Sequence, residues 1–294
     1  MTAGAVTEEP RAWIGRTSEA EDIATASALH RLAALLDYER PPWRERAVPP
    51  LGHWLYFLPA ARHSTLAVDG HTRHGEFLPP TRLPRRMWAG GRIEFLRPIP
   101  IGAAIRRTST VSDVASKRGA SGELLFVTLR HQIRVGSELA LSEEQDIVFC
   151  ERPAAGQPFP SRPAAAEKSP PAEPSATSRR SLSLGPVELF RFSALTFNAH
   201  RIHYDRDYAR NDEGYPGLVV HGPLIALLLV DQFLRSAPAA PISRLSYRAR
   251  SPLFEHQRFE LCAQISAPRA RLWAVGPRGE QAMQAEIELQ SLGR

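Results

Sequence analysis

Stretches of mixed hydrophobic and polar residues occur in the same order in two parts of the chain. In the first part, residues 91–102 lead into residues 104–111, and in the second part, residues 243–253 lead into residues 258–265. Each pair has proline at the break between its two stretches. Because proline cannot donate to a sheet ladder, each pair predicts a strand, a break and a second strand.

A further strand is predicted in each part, after a turn that contains glycine. Residues 124–133 follow a turn at 119–122, and residues 281–289 follow a turn at 276–279. The first part adds another strand at 145–150. Consecutive strands joined by short turns favour antiparallel pairing.

Two segments have the pattern of helices. Ser18 and Glu21 match a capping box, and the apolar positions after them predict a helix that continues to Leu36. A second helix is predicted over residues 223–235, and it is apolar on nearly every face as far as Asp231, which is typical of a buried helix. Buried helices and consecutive antiparallel strands, occurring twice, predict an α+β fold in which each sheet wraps its own helix.

A stretch rich in proline, alanine, serine and glutamate divides the chain at residues 153–180. It has almost no large apolar residues, so it cannot contribute to a core. We therefore predict a linker over 153–180, between an N-terminal domain over 1–152 and a C-terminal domain over 181–294. The similar order of signals on both sides favours an internal duplication.

The composition is that of an ordinary soluble globular protein, with 43% hydrophobic and 23% charged residues. No run approaches the ~18 apolar residues of a spanning helix, and no signal-peptide pattern opens the chain, so we expect a cytoplasmic protein without a membrane partner. The net charge of +6 comes from scattered arginines without a nucleic-acid motif, which argues against a nucleic-acid partner. Two cysteines, Cys150 and Cys262, allow one disulfide at most.

The densest group of proton-transfer side chains lies at residues 196–205. Asn198, His200, His203 and Asp205 fall within this one segment. Imidazoles exchange protons near neutral pH, so the group is a candidate for acid–base catalysis. A capped turn without any catalytic role would also account for these residues.

A helix start follows this segment, at His221, Gly222 and Pro223. Proline suits the first helical position, and glycine lets its backbone N–H come close to a ligand. The N-terminus of a helix favours developing negative charge, so an oxyanion could be stabilised here. The alternative interpretation is the start of a plain core helix.

These segments resemble the MaoC-like hot-dog hydratases, in particular the branch with two hot-dog domains that includes mesaconyl-CoA and itaconyl-CoA hydratases and mitochondrial-type 3-hydroxyacyl-thioester dehydratases. The family motif is Asp-x-Asn-Pro-x-His-x-Asp. In this chain Asn198 stands at its first Asp, His200 at its Asn and Arg201 at its Pro, whereas His203 and Asp205 match. The resemblance implies two fused hot-dog domains, each an antiparallel sheet around a central helix, with a degenerate N-terminal copy.

The resemblance also implies roles for the residues of the motif. His203 is expected to act as the acid–base residue, the Gly222 amide to polarise the thioester carbonyl, and Asn198 to orient the attacking water, because an amide cannot act as a general base. We expect the substrate to be bound by three further residues: His200, Arg201 and His221. Arg201 and Arg206 are candidate partners for a distal carboxylate of the substrate.

The implied function is a hydro-lyase that adds water to a short enoyl-CoA, such as itaconyl-CoA or mesaconyl-CoA, without metal or cofactor. The alternatives on this fold are a 3-hydroxyacyl-thioester dehydratase of fatty-acid synthesis, a thioesterase and a non-catalytic acyl-CoA-binding protein. A metal site at His200, His203 and His221 is a further alternative. A monomer and a homodimer both fit two fused copies.

The N-terminal part has several polar and aromatic residues without a matching motif. We interpret four of its histidines as loop or surface residues: His53, His63, His71 and His74. Four aromatic residues are expected in the core or an interface, with a lining of the acyl tunnel as the alternative: Trp54, Tyr56, Phe57 and Trp88. The acidic residues Glu143, Glu144 and Asp146 are interpreted as a solvated turn.

Overall fold

The computed structural model describes residues 9–44, 46–73, 77–119, 122–151, 175–238 and 240–290. In the N-terminal part of the chain these ranges contain five strands and one α-helix: β1 (Thr17–Ile23), α1 (Ala26–Leu35), β2 (Arg85–Phe95), β3 (Ala104–Gly119), β4 (Gly122–Val135) and β5 (Glu138–Cys150). In the C-terminal part they contain five strands and three α-helices: β6 (Ser178–Ser183), α2 (Pro186–Thr196), α3 (Arg206–Asn211), α4 (Gly222–Ser236), β7 (Ile242–Ala249), β8 (Arg258–Ser266), β9 (Arg269–Val275) and β10 (Gln281–Leu289).

All ten strands belong to one antiparallel sheet, in the order β1-β3-β4-β5-β2-β7-β10-β9-β8-β6. The two halves of the chain have the same strand order when each is counted from its own edge of the sheet. In each half, the first strand in the chain is at the edge and the second is at the centre of the sheet. The halves join where β2 pairs with β7, from Gly90 opposite Arg248 to Glu94 opposite Arg244. The α+β fold is confirmed, whereas the domain boundaries stay a prediction.

Glycine is required where the two central strands meet. A Cβ at Gly91 would lie 2.3 Å from the Tyr247 hydroxyl and 2.5 Å from the backbone oxygen of Glu144. Both distances are too short for a methyl group at this residue, because ordinary carbon contacts are ~3.5 Å or longer. The side chain of Tyr247 therefore crosses the junction directly over the backbone of β2.

Helix α4 packs against the sheet and forms the centre of the main core. Every residue from Leu224 to Leu234 is buried, and the helix contacts β8, β9, β10 and β2. The prediction of a buried helix over 223–235 is confirmed. Helix α1 packs on α2 instead. No helix in the described ranges is long and apolar enough to cross a membrane.

The prediction that the N-terminal helix begins near Ser18 is wrong. Residues 17–23 form strand β1, and the helix begins only at Ala26. The acidic residue that suggested the cap pairs across the sheet instead, because Glu21 lies opposite Arg106 of β3 and forms an ion pair with it at 2.7 Å. Cross-strand pairing with a basic neighbour thus overrides the local capping pattern.

The acidic residues interpreted as a solvated turn are in fact part of β5. Glu143 is only 2% exposed, and its carboxylate accepts hydrogen bonds from His53 at 3.0 Å and from the Trp54 ring nitrogen at 2.9 Å. The Tyr247 hydroxyl donates to it from the other half, at 3.3 Å. Burial raises the pKa of Glu143, but the hydrogen bond and charge of His53 outweigh this effect, and the pKa falls to about 2.

The predicted linker is described only at its C-terminal end. Residues 153–174 lie outside the described residues, and residues 178–180 already belong to β6. Cys150 and Cys262 are both buried and do not form a disulfide. A second contact between the halves lies at the start of β2, where Arg85 forms a buried ion pair with Glu213 at 2.8 Å.

Candidate functional site

The segment with the candidate motif follows the C-terminus of α2. Phe197 takes a left-handed conformation with φ of 49° and ends the helix. The side-chain oxygen of Asn198 then accepts the N–H of His200 at 2.9 Å, which shapes the loop. A short 3-10 turn at Arg201–His203 follows, and Asp205 caps α3 by accepting the N–H of Tyr208 at 3.0 Å.

His203 is held in one orientation and one tautomer. Its Nδ1 lies 2.7 Å from the carbonyl oxygen of Val219. A carbonyl oxygen only accepts, so Nδ1 carries the proton, and the lone pair of the neutral ring is on Nε2. Burial lowers the pKa of His203 to about 4, so the ring is neutral at pH 7 and can accept a proton.

His221 is fully buried behind His203. Its ring stacks on that of His203, with centroids 3.6 Å apart, and its Nε2 lies 2.9 Å from the Ser193 hydroxyl. Burial, together with His203 and His200, holds the pKa of His221 well below its usual range. Within the described ranges its Nδ1 has no hydrogen-bond partner. His221 therefore supports the ring of His203, and its expected contact with the substrate stays a prediction.

The N-terminus of α4 lies beside these rings. His221 is the residue before the helix, Gly222 is its first residue, and the N–H groups of a first turn have no partner within the helix. A Cβ at Gly222 would lie 2.8 Å from Cε3 of Trp88. Trp88 of the N-terminal half therefore packs directly on this backbone, and the aromatic residue that we expected in a core or interface borders the site.

His200 lies between His203 and a residue of the N-terminal half. Its ring centroid is 5.3 Å from that of His203 and 4.2 Å from that of His71. Burial lowers the pKa of His200, and the neighbouring imidazoles lower it further. Four histidine rings therefore form a row in which neutral imidazoles are favoured at pH 7: His71, His200, His203 and His221.

The N-terminal half contributes a loop for which the sequence held no motif. The backbone oxygen of Asp69 accepts the N–H of Arg201 at 2.9 Å, and the oxygen of Val68 accepts from the Arg201 guanidinium at 3.2 Å. Gly70 has φ of +92°, and a Cβ there would lie 1.9 Å from the backbone oxygen of Ala199. Only glycine allows this approach.

This loop brings a carboxylate and an imidazole to the site. Asp69 accepts the backbone N–H of His71 with Oδ1 and lies 3.0 Å from its Nδ1 with Oδ2. His71 lies on a loop, as expected, with a half-buried side chain. The interpretation of His53 as a loop or surface residue is wrong, because His53 is buried against Glu143. His63 is exposed as expected, and His74 lies outside the described residues.

The three histidines of the alternative metal site do not converge on one point, because His203 and His221 are stacked face to face. In the described ranges, the ligand atoms that come within 4.8 Å of one another belong to Asp69, His71 and His200. Both carboxylate oxygens of Asp69 are already hydrogen-bonded to His71. Asp69 and His71 are therefore a hydrogen-bonded pair, and the ring of His200 lies beside them.

The two arginines proposed for a distal carboxylate have other partners. Arg201 pairs with Asp205 at 2.7 Å, and Arg206 pairs with Glu255 at 2.6 Å. The charge of Arg86, in β2, lowers the pKa of both His71 and His200. The sequence contained no local signal for it.

The sequence of this chain is similar to hydratases and dehydratases. A protein described as mesaconyl-C(4)-CoA hydratase, from Chloroflexus aurantiacus, is 47% identical over 279 residues, which are 95% of this chain and 97% of that protein. The mitochondrial hydroxyacyl-thioester dehydratase type 2 of Schizosaccharomyces pombe is 26% identical, over 74% of this chain and 77% of that protein.

Solved structures with low sequence identity share the fold. A structure described as a MaoC-like dehydratase covers 95% of this chain, with a TM-score of 0.71 and 15% identity, and the alignment spans 99% of that chain. HtdX of Mycobacterium tuberculosis covers 94% of this chain and all of its own, with a TM-score of 0.67 and 17% identity. A further match, with a TM-score of 0.55, is described as having a double hot-dog fold.

The family model for hydroxyacyl-thioester dehydratase type 2 matches residues 51–255, which include both the Asp69–His71 loop and the motif after α2. Together with the 47% identity over nearly the whole chain, this match shows that the chain belongs to the hydroxyacyl-thioester dehydratase type 2 family, and that it is a hydro-lyase with the double hot-dog fold of its structural neighbours.

Proposed function

We propose that this enzyme adds water reversibly to the double bond of a short enoyl-CoA, and that its substrate is a C5 dicarboxylic thioester such as mesaconyl-CoA or itaconyl-CoA. The observation that carries the proposal is the hydrogen bond from His203 Nδ1 to Val219, which leaves Nε2 as a base beside the N-terminus of α4. Hydration of a conjugated thioester needs a neutral base and donors for an oxyanion.

The reaction follows from these two features. As the water oxygen bonds to Cβ, its proton moves to His203 Nε2, and the π electrons of the double bond shift towards the thioester carbonyl. The negative charge collects on the carbonyl oxygen, where the Gly222 N–H donates a hydrogen bond and the helix terminus adds its partial positive charge. The enolate then takes a proton at Cα, which restores the carbonyl and the neutral imidazole.

The dicarboxylic substrate is supported by two observations. The relative that is 47% identical is described as mesaconyl-C(4)-CoA hydratase. A substrate of this kind has a carboxylate close to Cβ, so it needs a cation near the base, and the charge of Arg86 acts on the neighbouring His71 and His200. We assign Arg86 to the second carboxylate, in place of the paired Arg201 and Arg206.

A second candidate is the dehydration of 3-hydroxyacyl thioesters in fatty-acid synthesis. It is favoured by the family model and by two yeast mitochondrial relatives described as hydroxyacyl-thioester dehydratase type 2. The chemistry is the same reaction in the opposite direction on a chain without the second carboxylate. The dependence of the rate on chain length and on that carboxylate distinguishes the two.

The test is to follow the loss of enoyl-thioester absorbance with mesaconyl-C4-CoA, itaconyl-CoA, crotonyl-CoA and a longer enoyl-CoA. We expect the highest kcat/KM with a C5 dicarboxylic thioester. A preference for the longest chain would favour the dehydratase. No absorbance change with any of them at high enzyme concentration would overturn the hydro-lyase proposal for these substrates.

The role of Arg86 is tested with a matched pair of variants. Arg86→Gln should lower kcat/KM for mesaconyl-C4-CoA by about 10- to 100-fold, the size expected for one hydrogen bond to a charged group. The same variant should change kcat/KM for crotonyl-CoA much less. Arg82→Gln is the control, because Arg82 is exposed on the same segment. Equal losses on both substrates would contradict the assignment.

A further inference from the structure

The proposed hydration requires two proton transfers, one from water and one to Cα, at different atoms of the substrate. His203 is fixed by Val219 for one of them. No carboxylate among the described residues is hydrogen-bonded to His203, so the imidazolium formed there is held only by a neutral carbonyl. A site for the second transfer, with a counter-charge, would complete the chemistry.

The loop of the N-terminal half has this arrangement. Asp69 Oδ2 lies 3.0 Å from His71 Nδ1, so this nitrogen carries the proton and the lone pair of the neutral ring is on Nε2. Asp69 itself is fixed, because its Oδ1 accepts the N–H of His71 and its backbone oxygen accepts the N–H of Arg201. His71 and His203 therefore both have Nδ1 occupied and Nε2 available.

The ring of His200 lies between these two histidines. Its centroid lies 4.2 Å from that of His71 and 5.3 Å from that of His203. An imidazole can accept a proton at one nitrogen and release one from the other, so it can pass a proton between its neighbours. A charge on one ring of the row disfavours a second charge on the others, so the row holds at most one excess proton at a time.

We propose that His71 is a second acid–base residue of this site and that Asp69 is the positioning residue that orients it and stabilises its protonated form. This inference rests on the proposed function. His203 takes the proton from water as the new C–O bond forms, the proton moves through His200 to His71, and His71 Nε2 gives it to Cα. All three rings are neutral before and after, but the relay moves the N–H of His200 from one ring nitrogen to the other, so His200 exchanges this proton with water before the next turnover. Dehydration follows the same steps in reverse.

The charges around His71 and Asp69 agree with these two roles. Burial lowers the pKa of His71, while the hydrogen bond and charge of Asp69 raise it. Burial raises the pKa of Asp69, but the hydrogen bond and charge of His71 outweigh this effect, and Asp69 stays ionised. The other charged groups that act on this ring are Arg86, which lowers its pKa, and Glu213, which raises it.

The first measurement is turnover of the unaltered protein with mesaconyl-C4-CoA and crotonyl-CoA, which tests the proposed function separately. With an active enzyme, His71→Gln should lower kcat by about 10²- to 10⁴-fold, the usual contribution of a general acid or base, with KM changed less than about threefold. His63→Gln is the matched control, because His63 is exposed and lies in the same N-terminal segment. Its kcat should stay within about twofold.

Asp69→Asn tests the positioning role by its pH profile. This variant keeps a hydrogen-bond acceptor but loses the charge that raises the pKa of His71. The acidic limb of kcat/KM should therefore move to lower pH, and kcat should fall. Added imidazole should restore part of the activity of His71→Ala, which a structural role would not allow.

Three results would overturn the proposal. The first is a His71→Gln enzyme with kcat within threefold of the unaltered protein. The second is an Asp69→Asn enzyme with an unchanged pH profile, a result that remains informative even if the His71 variants fail to fold. The third is stoichiometric zinc or iron in the purified protein that His71→Gln removes, because Asp69, His71 and His200 would then be metal ligands.

Discussion

Replacing Gly222 by alanine tests the first turn of α4 most directly. The added Cβ would lie 2.8 Å from Cε3 of Trp88. Ordinary carbon–carbon contacts are ~3.5 Å or longer, so the overlap is roughly 0.7 Å. The ring cannot simply move away, because Trp88 stacks on Tyr247 with centroids 4.5 Å apart and contacts Trp54 edge-on.

The expected loss of stability is small, because two effects oppose each other. Overpacking a well-packed contact typically costs ~1–3 kcal/mol. Alanine is favoured over glycine within a helix by roughly 0.5–1 kcal/mol. The free energy of unfolding of Gly222→Ala should therefore be about 1–2 kcal/mol lower, which unfolding in urea can measure.

The expected loss of activity is much larger than this loss of stability. If the Gly222 N–H stabilises the oxyanion, its displacement should lower kcat by about 10²- to 10³-fold. The assay is enoyl-thioester absorbance under conditions where the variant is fully folded. A kcat within threefold of the unaltered enzyme would refute the oxyanion role.

A double-variant cycle checks the packing argument. Leucine at position 88 leaves more space over Gly222 than tryptophan does. In the Trp88→Leu background, Gly222→Ala should therefore cost about 1 kcal/mol less stability than in the unaltered protein, because neighbouring residues in contact are not additive. The same cost in both backgrounds would show that the contact with Trp88 is not the cause.

Three further predictions concern the rest of the site and its support. Asn198→Ala removes the acceptor of the His200 N–H and should lower the free energy of unfolding by about 1 kcal/mol, whereas Asn198→Asp keeps an acceptor and should be near neutral in thermal unfolding. Glu213→Gln removes the buried charge 2.8 Å from Arg85 and should cost about 3–5 kcal/mol in urea unfolding, and adding Arg85→Met should recover part of this loss. Because burial lowers the pKa of His203 from 6.5 to about 4, the unfolded chain binds this proton more readily, so stability should fall as the pH drops from about 6.5 to about 4. His203→Gln should reduce that slope, and an identical slope would contradict the shift.

The strands and the central helix could be predicted because their signals are local. The predicted helix over 223–235 is α4 within one residue at each end, and the predicted strand over 281–289 has the bounds of β10. Alternating and continuous apolar patterns report burial directly. The motif after α2 was equally visible, because its histidines and its asparagine lie within ten residues of one another.

The errors occurred where a distant partner decides the outcome. Ser18 and Glu21 match a helix cap, but their segment pairs with β3, where Arg106 lies opposite Glu21. Strand β1 therefore forms in place of a helix start. Glu143 is charged and was interpreted as solvated, but donors from two other parts of the chain, the turn with His53 and strand β7 with Tyr247, make its burial favourable. Neither result follows from the neighbouring residues alone.

The sequence by itself determined the α+β class, the buried helix α4, and a motif with His203 and Gly222 near a helix start, because these depend on periodicity and short spacing. Only the tertiary structure decided which residues of the N-terminal half lie beside this motif. The pairing of β2 with β7 joins the halves, and a glycine loop brings Asp69 and His71 to His200, although 133 residues separate Val68 from its partner Arg201. Proximity of this kind is a property of the folded chain, because it depends on which surfaces pack together and not on any local pattern.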